Sequence, residues 1–556
     1  MALDPEIKRT IGQHFVFGFV GYGVNDDIRS LICDYYVGNV ILMKRNIQSF
    51  EQVHKLVHDL QQLAKDSGHE QPLLIGIDQE NGLVSGFSIG SGGVGTQFPG
   101  AMCIAATGST ELAEEVTRAS GFEMRLVGIN WVYSPVADVN TDPGNPVIGP
   151  RSFGDDPTRV GEFACAVSRG LTASGIAPSA KHFPGHGDTH VDSHIALPRI
   201  LKSQDELRQE ELVPFRSLIA EDIATIMSGH IALPRITGSD IPCSLSRDIT
   251  TALLRDDLGF KGVIVTDCLE MDAVAGSYGV ENGALMALDA GADIVMVCHT
   301  PERQKGAVEL VQAAVISGKL TLDSLRQSHH RIAHLKSKFA GSWSDVLAPV
   351  FNSGRKIQLK SDNAALSASA YSASTALVTD PTGVLPISGG DAVILFTPEN
   401  ESLNRAVDDI EDAVRAEDGK IRNKAAPSDI SFGSSISART QNMHHTVYAK
   451  DFTVTEELSN HLSVAKYIVF ATRNTDRSAW QLKALSAIAE VKNTGTGVII
   501  ISTCAPYDLL NAKLGFPFAY LATFEFTRPA LEAAARVIFG EAKPAGKVPV
   551  LDGNIL

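Results

Sequence analysis

Eight short apolar runs rich in Val, Ile and Phe recur through the first 300 residues, at 14–21, 37–43, 72–78, 129–138, 176–183, 224–231, 262–267 and 292–297. Between most of them lie stretches with helical spacing, such as Phe50–Ala64, Glu111–Leu126, Pro157–Ser174 and Gln204–Ile219. Continuous apolar runs suit strands covered on both faces, and their alternation with helices suits a parallel sheet. Eight such units in about 300 residues predict an α/β fold of the (β/α)8 type, a closed barrel rather than an open doubly wound sheet.

The barrel uses little more than half of a 556-residue chain, which is too long for one ordinary domain. We place it at 1–340. The stretch 341–365 has no clear period and reads as a linker. From 366 to 556 a second alternation follows, with apolar runs at 375–380, 391–398, 467–472, 497–503 and 519–524 and helical spacing at Thr455–Val464 and Arg528–Phe539. These predict a smaller three-layer α/β sandwich of five or six strands. The polar segment 412–450 is expected to be a loop.

Composition removes several classes of function. Asp plus Glu is 64 against 48 for Lys plus Arg, a net charge of −16 with no basic stripe, so nucleic acid is not an expected partner. The seven cysteines form no CxxC pair, which argues against a disulfide framework or a zinc ribbon. No apolar run is long enough to span a bilayer, so no membrane partner is expected. The first residues show no cationic region followed by an apolar one, and the expectation is an intracellular, cytoplasmic protein. A homodimer is compatible with this reading.

In (β/α)8 enzymes the chemistry lies at the C-terminal ends of the strands. Those ends carry Asp78, Asp138 and Arg151, Lys181 and His182, His230, and Asp267. Ionisable groups delivered to one rim by nearly every strand point to an enzyme. Histidines 182, 186, 190 and 194 are spaced by four, which on a helix would line one face for a metal. Pro184, Gly185 and Gly187 interrupt that stretch and make it a loop, so no metal is expected. On an extended loop Asp192 and His194 point to the same side. The carboxylate then fixes one ring nitrogen and the other can exchange a proton; alternatively the pair only staples the loop. Asp267 ends a very apolar strand, where it can attack an electrophilic carbon or cap the following helix. Arg45 reads as a buttress of the rim, Asp188 as a loop-fixing residue and Trp131 as packing. Cys268 and the other cysteines read as small buried apolar residues.

The string KHFPGHGDTHVDSH, followed by MSGHIALP, GVIVTDCLEMDAVA and GADIVMV, resembles family 3 glycoside hydrolases, and within them the β-N-acetylglucosaminidase branch. The similarity covers the whole barrel, from IKRTIGQHFVFGFVG through ILMKRNI, GIDQENG and GPRSFGDDP, and GEAKPAGKVPV resembles the close of the family's C-terminal domain. It implies Asp267 as nucleophile and His194, held by Asp192, as general acid/base. Asp78, Arg151, Lys181 and His182 would bind sugar hydroxyls, with His230 and Met271 lining the pocket. The implied reaction is release of terminal β-linked N-acetylglucosamine by a retaining double displacement, with no cofactor.

Where bacterial members of the family usually read DQEGGRVQRL, this chain has DQENGLVSGF, so Asn81, Leu83 and Gly86 replace a glycine and two arginines. That favours chitobiose and chito-oligosaccharides over anionic cell-wall fragments. Two variants of the chemistry stay open: phosphorolysis, and hydrolysis in peptidoglycan recycling. A sugar-binding barrel without catalysis is the reading from another class, and it conflicts with the presence of Asp192, His194 and Asp267.

Overall fold

The computed structural model describes residues 4–88, 94–193, 196–400, 425–551 and 555. Eight parallel strands close a barrel: β1 (Phe15–Phe17), β2 (Asn39–Leu42), β3 (Leu74–Ile77), β4 (Trp131–Val132), β5 (Ala177–Phe183), β6 (Thr225–Ser228), β7 (Val263–Cys268) and β8 (Ile294–Val297). Seven fall inside one of the apolar runs and β7 overruns its own by one residue, Cys268; the ring is closed by β1 pairing with β8, Phe15 opposite Val295. Most barrel-strand residues are buried, as the unbroken apolar patterns require.

Side chains pointing inward, among them Val16, Ile41, Leu74, Trp131, Tyr133, Val265 and Met296, fill the barrel as a packed core. Trp131 is fully buried there, with its indole N–H on Thr225 Oγ1 at 3.1 Å, so it packs rather than offering a sugar platform. Ile332, Leu335 and Phe339 of the helix Leu322–Phe339 join the same cluster from the N-terminal end. Lys336 of that helix donates to Gly38 O at 2.8 Å, just ahead of β2. This end is therefore plugged, and the opposite rim is left for chemistry.

The second sheet has six strands: β9 (Ala376–Thr379), β10 (Val393–Pro398), β11 (Met443–Tyr448), β12 (Tyr467–Thr472), β13 (Gly497–Ser502) and β14 (Ala519–Ala522), in the order β9-β14-β13-β12-β10-β11 with β9 antiparallel. Two apolar clusters lie on its two faces, as a three-layer sandwich demands.

Two stretches differ from expectation. The segment 341–365 is mostly helical, because a helix runs over Ser353–Ser374 and packs on Thr110–Leu126 and Arg528–Ile538. Its buried face includes Asn363 and Ser367, and Asn363 donates to Glu123 Oε1 at 2.9 Å. A polar face of this kind leaves no apolar period to read. Within 412–450, Pro427–Ser437 is a helix and β11 is the edge strand of the sheet, so these parts are not loop. Most of β11 is half-exposed, which explains its polar sequence. Among the described residues no helix is long and apolar enough to cross a membrane.

Candidate active site

The strand ends of the barrel surround a cavity of about 610 Å³. Its wall includes Asp78, Arg151, Lys181, His182, Asp267 and Met271, all six singled out from the sequence. It also includes Glu80, His186 and Glu270.

A network of charge forms one side. Lys181, at the end of β5, donates to Asp78 Oδ1 at 2.7 Å and lies 2.7 Å from Glu80 Oε1. Arg151 grips Glu80 with both arms, Nε on Oε2 at 2.9 Å and Nη2 on Oε1 at 2.8 Å. Glu80, Lys181 and Arg151 are almost fully buried, while the Asp78 side chain keeps 38% of its surface exposed to the cavity. Burial alone would raise the Glu80 carboxyl, but Arg151 and Lys181 bring it down to about 2. Desolvation likewise works against the Lys181 cation, and Asp78 and Glu80 outweigh it, so its pKa is raised.

His182 is fixed from behind. Its Nδ1 sits 2.7 Å from Asp138 Oδ2, which sets Nδ1 as the protonated nitrogen and turns Nε2 toward Arg151, 3.5 Å from Nη2. The wholly buried Asp138 also accepts the backbone N–H groups of His182 and His186, at 3.0 and 2.7 Å. Burial would raise its pKa, but these neighbours hold it low.

The loop after β5 is irregular where described, as its prolines and glycines imply. His186 bonds Thr189 Oγ1 at 2.8 Å and Ser193 Oγ at 3.0 Å, and burial lowers its pKa to about 4, so the ring is neutral and ties the loop together. Asp188 pairs with Lys202 at 3.0 Å, a loop-fixing contact. Asp192 is buried, and its carbonyl accepts from Ala196 N at 3.0 Å. His194 lies outside the described residues.

Opposite the charged network, Asp267 near the end of β7 is half-buried and accepts from Cys268 N at 2.7 Å. It does not cap the next helix, which begins at Asp272 with Met271 in the N-cap position. His230 is absent from the cavity wall. Its ring is fully buried, with Nδ1 on Ser244 Oγ at 2.8 Å and Nε2 on Cys268 O at 3.0 Å. The strand β6 stops at Ser228, and the two-residue extension carries His230 behind the wall, where it steadies the backbone beside Asp267.

Glu80 and Glu270 had a signal in the sequence that the strand-end rule passed over, each lying two or three residues beyond a strand-end aspartate. Glu270 binds the chain after β8: Oε2 accepts Cys298 N and His299 N, at 3.0 and 2.6 Å, and Oε1 accepts Thr300 N at 3.0 Å.

The second domain supports one cavity wall. A two-stranded hairpin, Gln79–Asn81 with Val84–Ser85, follows β3. Its Leu83 packs against Cys504 and Phe526, and Arg473 stacks on the Phe526 ring at 3.8 Å. At Gly82 (φ +59°) an added Cβ would lie 2.6 Å from Gly100 Cα and 2.7 Å from Glu525 Oε2, so only glycine fits.

A closed parallel barrel whose strand ends gather Asp267 and a lysine–arginine–carboxylate network around one cavity defines the site of a (β/α)8 enzyme. Residues 7–335 match the model of the glycosyl hydrolase family 3 N-terminal domain. Beta-hexosaminidase A of Pseudoalteromonas piscicida is 31% identical over 94% of this chain and 90% of its own. The solved family 3 beta-N-acetylglucosaminidase of Paenibacillus sp. str. FPU-7 is 32% identical, with a TM-score of 0.87 over the whole of both chains. A fungal multi-domain beta-N-acetylglucosaminidase is 35% identical with a TM-score of 0.88; this chain spans 61% of its length. The chain belongs to glycoside hydrolase family 3.

Proposed function

We propose that this chain is a retaining exo-β-N-acetylglucosaminidase acting on chitobiose and short chito-oligosaccharides. The observation that carries the reading is the placement of Asp267 across one cavity from the Asp78–Lys181–Arg151 network. A terminal sugar held by its hydroxyls on that network presents its anomeric carbon to the opposite wall. Asp78 accepts from hydroxyls, while Lys181, Arg151 and His182 offer donors or an acceptor nitrogen. The names of the full-length relatives, a beta-hexosaminidase and a beta-N-acetylglucosaminidase, support the sugar.

In this reading Asp267 attacks the anomeric carbon while His194, as imidazolium, protonates the departing oxygen. A covalent glycosyl-enzyme forms through an oxocarbenium-like transition state, and neutral His194 then takes a proton from water, which releases the sugar with its β configuration retained. Asp192 serves His194 as hydrogen-bond partner. Leu83 and Gly86 on the cavity wall, where the family often has arginines, offer no charge of their own to an anionic neighbour and support neutral oligomers. The barrel carries the chemistry, and the second domain holds the hairpin that closes its wall.

The test compares initial rates on p-nitrophenyl β-N-acetylglucosaminide and the β-glucoside, for wild type and Asp267→Asn. Expected is release from the N-acetyl substrate alone, abolished by the substitution, with proton NMR showing the β anomer first. Equal release from the glucoside overturns the sugar. Activity surviving in Asp267→Asn overturns the nucleophile, and N-acetylglucosamine 1-phosphate formed in phosphate buffer replaces hydrolysis by phosphorolysis.

A further inference from the structure

Three ligand-bearing side chains that the proposed chemistry leaves unused meet on the cavity wall. Cys268 Sγ, Cys298 Sγ and a ring nitrogen of His299 all lie within 4.8 Å of one another, and no other such group of three occurs among the described residues. The strand register brings them together. Cys268 on β7 lies opposite Met296 on β8, and Cys298, two residues on, falls on the same inward side. All seven cysteines, these two included, are free thiols.

We propose that Cys268, Cys298 and His299 form a binding site for a thiophilic divalent cation of the zinc or cadmium class, and that its occupancy shuts the sugar cavity. Two sulfurs and one imidazole nitrogen are the donor set such ions prefer, at about 2.3 Å for sulfur and 2.0–2.1 Å for nitrogen. Three atoms already within 4.8 Å reach a tetrahedral metal by small side-chain rotations, and the fourth position opens on the cavity. Binding releases the two thiol protons, so metal plus two thiols gives metal dithiolate plus two protons, with no change of oxidation state.

The surrounding charges balance the ion. Glu270 Oε2 lies 4.0 Å from Cys268 Sγ, and the Arg45 guanidinium faces the group from the turn after β2, with Nη1 3.2 Å from His299 Nδ1 and Nη2 on Cys298 O at 2.7 Å. Two thiolates cancel the divalent cation, while Glu270 is shared between Arg45 and Arg303, whose Nη1 lies 3.9 Å from Glu270 Oε1. Arg45 nevertheless competes for His299 and repels the metal, so its removal strengthens binding. Cys268 also gives its N–H to Asp267 and its carbonyl to His230, so a metal on its sulfur loads the backbone beside Asp267. The effect on activity rests on the function proposed above; the binding does not.

The experiment titrates the reduced, metal-free full chain with cadmium alone and follows the ultraviolet thiolate-to-cadmium charge-transfer band. Expected is a band saturating at one cadmium per chain and displaced by zinc. It is lost in Cys268→Ser and Cys298→Ser, weakened at least tenfold in affinity in the surface variant His299→Gln, and strengthened in Arg45→Gln. Far-ultraviolet circular dichroism shows which variants are folded, and His299→Gln and Arg45→Gln keep the test decisive if a cysteine variant is not. No band, a band unchanged in a folded cysteine variant, or a band unchanged in both His299→Gln and Arg45→Gln, overturns the site. Cadmium bound at this band with full release of p-nitrophenol by the same sample overturns the closure alone.

Discussion

Glu80 and Arg151 form a two-toothed ion pair with both side chains more than nine-tenths buried, at 2.8 and 2.9 Å. A pair so thoroughly removed from water contributes less by its attraction than it costs when one partner is lost. Glu80→Gln leaves Arg151 and Lys181 without the carboxylate that offsets their desolvation, and is expected to lower unfolding free energy by about 3–5 kcal/mol. Urea unfolding at neutral pH measures it. The pH dependence has a definite sign. With a folded pKa of about 2, below the usual value of 4.5, Glu80 contributes stability that is present above pH 4.5 and lost as pH falls through 2. That is about 3 kcal/mol, so the deficit of Glu80→Gln shrinks toward pH 2. A deficit independent of pH would show that the carboxylate charge is not the cause.

Glu525 has the opposite sign. Its Oε2 accepts from Gly100 N at 2.8 Å, and Oε1 accepts from the Tyr371 hydroxyl at 2.6 Å and from Thr527 Oγ1 at 2.7 Å. Burial dominates these bonds and pushes its pKa up to about 6. A carboxyl raised in the folded state contributes stability that is fully present below about pH 4.5 and lost as pH rises through 6, about 2 kcal/mol in all. Glu525→Gln cannot ionise, so relative to wild type it should gain about that much between pH 4.5 and pH 7. Melting of the two proteins across this range gives the difference directly. The raised carboxyl of Asp508, also pushed up to about 6, is common to both and cancels.

Much of this organisation is legible along the chain, for reasons tied to particular residues. Most residues of the barrel strands are buried and lie in largely apolar runs, so the ends of the runs mark the rim and pick out Asp78, Lys181 and Asp267. The Glu80–Arg151 pair spans 71 positions and exists only once the barrel is closed. The same holds for Cys268 and Cys298, which neighbouring strands bring together. His230 lies behind the cavity wall because its run continues two residues past Ser228, where β6 stops pairing. The helix Ser353–Ser374 was hidden because polar side chains seal its buried face, and β11 because an edge strand covered on one side needs no apolar run.

Gly82 joins the cavity wall to the second domain through the space where a side chain would be. Gly82→Ala places a Cβ 2.6 Å from Gly100 Cα and at a positive φ, and neither backbone can yield without moving the hairpin. The expected result is a fall in kcat/KM of roughly tenfold or more, by displacement of Glu80 and the residues it orients. Steady-state kinetics on the chromogenic N-acetylglucosaminide tests this. Gly108→Ala, also at positive φ but with nothing within 4 Å of the added carbon, provides the comparison for backbone strain alone.

Phe526 tests whether the second domain acts on the cavity or merely accompanies it. The ring is 7% exposed, lies against Leu83 and Cys504, and carries the Arg473 guanidinium, which is itself paired with Asp429 at 3.2 Å. Phe526→Ala empties the space beneath Leu83 and is expected to cost about 3–5 kcal/mol of stability. Loss of packing alone would leave the kinetics of the folded fraction unchanged. Because Leu83, Val84 and Gly86 line the cavity, the variant should instead raise KM several-fold under conditions where it is fully folded. Phe526→Leu refills most of the volume without the aromatic face for Arg473, and is expected to restore KM more fully than stability. A wild-type KM in folded Phe526→Ala would confine the second domain to a supporting role with no influence on substrate binding.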